Sequence, residues 1–287
     1  MKRFPWWLWL GLLAAVGAIL GAGYDHYKKV EAEKERTKQR LAALYQDVSD
    51  RTEVSCASLL GAKTAVILTM GQSNANNAGE TPYQPKGEVF ALNTLNNKCY
   101  YAKDPMLGLV NFKGSVWTRF GEKLVEAGVF ERVLFISTPI GFGSVKGWFT
   151  NWQRDLSQLV KRLMPLNLTI THVIWHQGEN DARSSMTQQE YAQGLEQMVR
   201  VVRELGIQAP IFISVTSICN NAGSDEVRQA QRQAVHTAMG IFAGPDTDSL
   251  NQPAHRYDGC HFSQEGLLGY ANLLQESFKK QIQSKRE

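Results

Sequence analysis

Residues Ala65 to Asn74 read AVILTMGQSN, six apolar or β-prone positions that run unbroken into Gly71-Gln72-Ser73-Asn74. A short continuous apolar run closed by glycine predicts a strand buried on both faces, as in a parallel sheet. Further runs of this kind lie at Glu88–Leu92, Arg132–Thr138, Thr171–Gln177 and Pro210–Thr216. Amphipathic stretches near Ser115–Gly128, Asn151–Met164, Thr187–Gly206 and Ser224–Gly240 separate them, and a last helix starts at Ser263. Thr187-Gln188-Gln189-Glu190 is a capping box, and Gly206 is a fitting helix stop. Strand–helix alternation of this kind predicts one three-layer α/β/α sandwich with a parallel sheet over residues 54–287.

The chain has 287 residues, 43% hydrophobic and 20% charged, with a net charge of +4. That composition excludes a disordered or low-complexity protein. Residues 54–287 hold 22 basic and 20 acidic residues, with no basic stripe, so nucleic acid is not an expected partner. Upstream, a short tail (1–5) precedes Trp6–Gly23, 18 residues without a charge. As a helix this span measures about 27 Å, close to the ~30 Å hydrocarbon core, and aromatic residues flank it. It reads as a transmembrane signal anchor, with a cleaved signal peptide as the alternative. Residues 24–53 read as a charged helical stalk, since Asp25–Glu53 carries seven acids, seven bases and no Gly or Pro. The basic residues of the stalk conflict with the positive-inside rule, whereas the export-like N-terminus and the even cysteine count favour an extracytoplasmic catalytic domain.

In open α/β sheets, ligands bind outside the carboxyl ends of the strands. The unusual residues gather there: Gly71-Gln72-Ser73-Asn74, then Gly141-Phe142-Gly143-Ser144, then His176-Gln177-Gly178-Glu179-Asn180-Asp181, and Asp258-Gly259-Cys260-His261 before the last helix. The three-residue spacing of Asp258 and His261 lets the carboxylate orient the imidazole and stabilise its charged form. Ser73, in a sharp turn, is the natural nucleophile for such a base. The backbone N–H groups of Ser73 and Gly143, with the amide of Gln177 or Asn180, would form the oxyanion hole. Each donor there is worth about 3 kcal/mol in the barrier. No G-x-S-x-G is present, which excludes the nucleophile elbow of the α/β-hydrolases. His176-x-x-Glu179 has helical metal spacing, but Gly178 interrupts it and no third ligand is evident, so neither metal nor cofactor is expected.

Taken in order, GQSN, the Gly-Ser turn leading to Trp148, HQGEND and D-x-x-H resemble the SGNH hydrolase superfamily over roughly residues 64–280. The closer resemblance is to its sialate O-acetylesterase and acetylxylan esterase branch (carbohydrate esterase family 6-like). The resemblance implies a flavodoxin-like sandwich and metal-independent hydrolysis of acetyl esters on carbohydrate. By position, Ser73 matches the nucleophile, His261 the base, Asp258 its orienting carboxylate and Gly143 the second oxyanion glycine; Gln177 ranks slightly ahead of Asn180 as the amide. Gln72, Asn74, Glu179 and Asp181 are expected to support these groups. Ala75 and Phe142 depart from the family pattern and reshape the acyl or sugar pocket.

Trp148 and Trp152 fit either a sugar-stacking wall or the core. The four cysteines allow three pairings or four thiols; Cys219–Cys260 would clamp the loop carrying His261, and Cys56–Cys99 would tie the domain entry to a later loop. The expected activity is a membrane-anchored serine esterase that hydrolyses O-acetyl esters on carbohydrate, an acetylated glycan or sialic acid-type substrate, through an acyl-Ser73 intermediate. An O-acetyltransferase using the same acyl-enzyme is the first alternative, and a non-catalytic carbohydrate-binding protein the second.

Overall fold

The strands in chain order are β1 (Glu53–Val54), β2 (Thr64–Gly71), β3 (Val89–Asn93), β4 (Lys98–Tyr101), β5 (Arg132–Ser137), β6 (His172–His176), β7 (Ile211–Val215) and β8 (Ile241–Asp246). They belong to a computed structural model that describes residues 47–284, except 112, 139–142, 147 and 221, together with a few positions between 23 and 31. The helices are α1 (Val116–Glu126), α2 (Trp148–Leu163), α3 (Glu179–Arg183), α4 (Gln188–Glu204), α5 (Asp225–Gln233) and α6 (Gln264–Ser284). One sheet runs in the order β1-β4-β3-β5-β2-β6-β7-β8.

Its centre, β5-β2-β6-β7, is parallel, and every residue of β2 is buried. Successive side chains of a strand point to opposite faces. Accordingly Val66, Leu68 and Met70 pack in one hydrophobic cluster with Trp175, Tyr191 and Met198, while Ala65 and Ile67 pack in another with Trp117, Phe120, Tyr270 and Phe278. Two apolar layers on one sheet make the three-layer sandwich.

The sheet is mixed rather than wholly parallel, which corrects the sequence expectation. β4 runs antiparallel to β3, and β1 antiparallel to β4. The β3–β4 link is only Thr94-Leu95-Asn96-Asn97, too short for a parallel crossover. Asn93 builds this turn by accepting from the N–H groups of Leu95 and Asn96, and Asn97 takes φ 57°, a conformation that asparagine tolerates. At the other edge, the helix expected over Ser224–Gly240 stops at Gln233, and the chain returns as β8. β8 contains Gly244 and Pro245, which read as breakers in sequence but are acceptable on an edge strand.

Cys56 and Cys99 are joined in a disulfide, Cα atoms 5.3 Å apart, which ties the first turn of the domain to β4. The apolar span 6–23 and most of 24–53 lie outside the described residues. No helix among the described residues is long and apolar enough to cross a membrane.

Candidate active site

β2 delivers Ser73 to the carboxyl edge of the sheet. Gly71 pairs with His176 of β6, and a Cβ on Gly71 would fall 2.0 Å from the His176 carbonyl oxygen. Only glycine lets the two strand ends come this close, and its φ of 153° suits it as well. The Gln72 N–H donates to the same carbonyl at 3.1 Å, and the chain then turns tightly through Ser73–Ala75.

The imidazole–carboxylate pair forms within the loop before α6. Asp258 Oδ2 lies 2.7 Å from His261 Nδ1, while Oδ1 accepts the backbone N–H groups of His261 at 2.7 Å and Cys260 at 3.0 Å. Burial works to raise the Asp258 carboxyl, but the hydrogen bonds from the His261 ring and from these two backbone groups outweigh it and hold it below the usual range. An ionised carboxylate only accepts, so Nδ1 carries the proton and Nε2 is left as the basic nitrogen.

Ser73, His261, Gln72, Gly143, Glu179, Asn180, Arg183, Cys219 and Cys260 border one cavity of about 430 Å³. No direct hydrogen bond joins Ser73 to His261; such contacts are commonly loose until substrate organises them. Cys219 and Cys260 are joined in a disulfide, Cα atoms 4.1 Å apart, which links the loop after β7 to the His261 loop.

The two amides weighed as oxyanion donors separate clearly. Gln177 is fully buried, and its Nε2 lies within reach of Asp181 Oδ2 (2.5 Å), the Gly143 carbonyl (3.1 Å) and Gln72 Oε1 (3.1 Å). Two N–H bonds facing three acceptors leave none for a substrate. Asn180 instead is exposed and borders the cavity. The ranking of Gln177 ahead of Asn180 is therefore reversed. Gln177 acts with Asp181, whose Oδ2 also accepts the Val145 N–H at 2.8 Å, to hold the turn that carries Gly143. The side chains of Trp148 and Trp152, and all of Phe142, lie outside the described residues.

Asn74 joins three parts of the site. Its Nδ2 donates to Glu179 Oε1 at 2.8 Å and to the Cys260 carbonyl at 3.2 Å, so the residue after Ser73 holds both α3 and the His261 loop. Glu179 is fully buried and also meets His176 Nε2 at 3.3 Å; His176 Nδ1 in turn lies 2.8 Å from the Tyr270 hydroxyl. Asn74→Ala is expected to lower kcat on p-nitrophenyl acetate roughly 10- to 100-fold with little change in KM, because sub-ångström placement of Ser73 against His261 is lost. Steady-state kinetics check this, and an unchanged kcat would contradict it.

Sequence reading did not single out Arg183, Tyr270, Gln231 or Arg256. Gln231 Nε2 donates to the Gln177 and Thr216 carbonyls, and Arg256 Nη1 donates to the Cys260 carbonyl at 2.6 Å. Arg183 closes the short helix that carries Asn180 and borders the same cavity, a placement that only the structure shows. Among the described residues no group of three or more metal-ligating side chains is assembled.

Solved structures similar in fold include three that cover nearly the whole of their own chains. They are a protein from Arabidopsis thaliana (16% identity, 76% of this chain and 98% of that one, TM-score 0.60), a putative GDSL-like lipase from Parabacteroides merdae (15%, 77% and 98%, 0.54) and NanS (14%, 78% and 99%, 0.53). No curated protein matches the chain. Residues 63–280, which include every residue bordering the cavity, match the family model described as carbohydrate esterase, sialic acid-specific acetylesterase. The chain therefore belongs to that family of carbohydrate esterases and is a carboxylic ester hydrolase.

Proposed function

We propose that the protein removes O-acetyl groups from carbohydrate through an acetyl-Ser73 intermediate, and that residues 6–23 anchor it with the catalytic domain outside the cytoplasm. The observation that carries the mechanism is the shared cavity of Ser73 and His261, with Asp258 fixing the ring from behind. His261 Nε2 takes the Ser73 hydroxyl proton as Oγ attacks the acetyl carbonyl carbon. The backbone N–H groups of Ser73 and Gly143 and the Asn180 amide stabilise the tetrahedral oxyanion. Collapse breaks the ester bond, and the imidazolium returns its proton to the departing sugar oxygen. Water then attacks acetyl-Ser73 with His261 taking its proton, the Oγ–acetyl bond breaks, and His261 returns that proton to Ser73 Oγ as acetate leaves.

The anchor is supported by the uncharged length of 6–23, and the extracytoplasmic placement by two disulfides joining all four cysteines. Residues 24–53 would then space the domain from the bilayer. Hydrolysis is tested by following p-nitrophenol and free acetate together during turnover of p-nitrophenyl acetate by the full chain. Steady release of both in equal amounts is expected. A burst of p-nitrophenol that stalls without acetate would contradict hydrolysis and favour transfer to a sugar acceptor.

A further inference from the structure

A second cavity, of about 670 Å³, opens beyond the carboxyl ends of β7 and β8. That is the edge of an α/β sheet where ligands bind, and the volume falls within the range of ligand pockets. A single loop divides this cavity from the catalytic one: Ile218 borders the second, and its chain neighbour Cys219 borders the first. Adjacent Cα atoms lie about 3.8 Å apart, less than the length of one sugar unit. The dividing wall is braced from both sides. Cys219 is bonded to Cys260, and Arg256 Nη1 donates to the carbonyls of Ile218 at 3.2 Å and Cys260 at 2.6 Å. From the second cavity, Asp248 Oδ1 accepts the N–H groups of Ser217 at 2.8 Å and Ile218 at 3.0 Å.

The second cavity is polar but its charges are matched. Arg228 lies 2.9 Å from Asp248, and Arg232 lies 2.8 Å from Asp246, so an ionic ligand finds no free countercharge among these four lining groups. A hydroxyl both donates and accepts. This lining sets the two arginine donors beside the two carboxylate acceptors, and adds Ser249, Asn251 and Gln252, which do both. Such a wall is the complement of an uncharged polyol. The catalytic cavity, about 430 Å³, suits about one sugar unit, so a linked neighbour must lie outside it. We propose that the second cavity is a glycan subsite, holding an uncharged sugar linked to the one whose acetyl group sits at Ser73. The preferred substrate is then a sugar chain and not a free acetylated sugar. This rests on the acetyl-Ser73 reading of the neighbouring cavity.

The test gives the full chain the same acetylated sugar free and linked. The probes are O-acetylated N-acetylneuraminic acid, free or joined to lactose, and O-acetylated xylose, free or within xylotriose, with p-nitrophenyl acetate as the minimal ester. Wild type is expected to favour the linked form about tenfold in kcat/KM in at least one series. The gain should fall mainly in KM, because contacts remote from the reacting bond hold substrate and transition state alike. Asn251 and Gln252 are exposed and meet each other at 3.3 Å, so replacing them leaves both ion pairs standing. The double variant Asn251→Ala, Gln252→Ala is expected to cut the preference about threefold or more, and Asn251→Trp, which fills the cavity, to abolish it. Both should act on the free sugars and on p-nitrophenyl acetate as wild type does. A wild type that turns over p-nitrophenyl acetate without preferring a linked form in either series overturns the proposal. So does a preference that survives Asn251→Trp, or a loss equal on linked and free forms. Failure of wild type on p-nitrophenyl acetate itself would instead refute the acetyl-Ser73 mechanism on which the proposal stands.

Discussion

Ser73→Ala and His261→Ala are each expected to lose on the order of 10⁴-fold or more of kcat on p-nitrophenyl acetate, and the double variant little beyond either single one. A hydroxyl is a poor nucleophile without its base, and the base has no task without the hydroxyl, so the two removals are not additive. Asp258→Asn should cost about 10⁴-fold as well. The amide would donate where the carboxylate accepts, turning the His261 ring into the tautomer with its proton on Nε2. The three backbone and ring hydrogen bonds to Asp258 make that tautomer choice a property of the loop. Steady-state rates and thermal unfolding of each variant check the prediction. A folded Ser73→Ala enzyme retaining a tenth of wild-type kcat would contradict it.

Glu179→Ala is expected to cost about 3–5 kcal/mol of stability, since it leaves two buried hydrogen-bonding groups unmatched at ~1–3 kcal/mol each. For a domain of this size that is a fall of roughly 6–20 °C in Tm. The variant strands the Asn74 amide and the His176 ring nitrogen, both of which meet Glu179 Oε1 in the buried network. Glu179→Gln keeps an acceptor there and should cost less. Acid separates the wild type from both variants. Burial works to raise the Glu179 carboxyl, but attraction to His176 and hydrogen bonds from His176, Asn74 and its own backbone N–H outweigh it and hold it at about 2, below its ordinary value of 4.5. A carboxyl lowered on folding stabilises fully above its unfolded value and loses that contribution as pH falls through its folded one. The Tm gap between wild type and Glu179→Ala should therefore be widest near neutral pH and shrink between about pH 4.5 and 2. Thermal unfolding at pH 7 and pH 3 reads this directly, and a gap that stays constant would contradict it.

Ser73 and the Gln177–Asp181 cluster were legible in sequence because each sits where a buried strand runs out, and Asp258 and His261 through their three-residue spacing before the last helix. AVILTM ends at Gly71 and releases Ser73, and VIWH ends at His176 and releases Gln177 to Asp181. The edges of the sheet were not legible. β4 is four residues long with its two outer positions exposed, and β8 carries Gly244 and Pro245, so neither shows the continuous apolar run of the centre. The choice between Gln177 and Asn180 also lay beyond pattern. It depends on Asp181, Gly143 and Gln72 converging on one amide from separate segments, a three-dimensional fact that no spacing encodes. Arg183 was overlooked because an arginine on a helix reads as a solvated charge until the cavity beside it is seen.

The most direct measurement of the mechanism is acid quench of the full chain within the first turnover of p-nitrophenyl acetate, followed by peptide mass spectrometry. The account predicts one acetyl group on the peptide containing Ser73, absent from Ser73→Ala and accumulating when His261 is replaced only to the extent that Ser73 still reacts. An enzyme that turns over the ester while the acetyl group is found on another residue, or on none when deacylation is slowed, would contradict it.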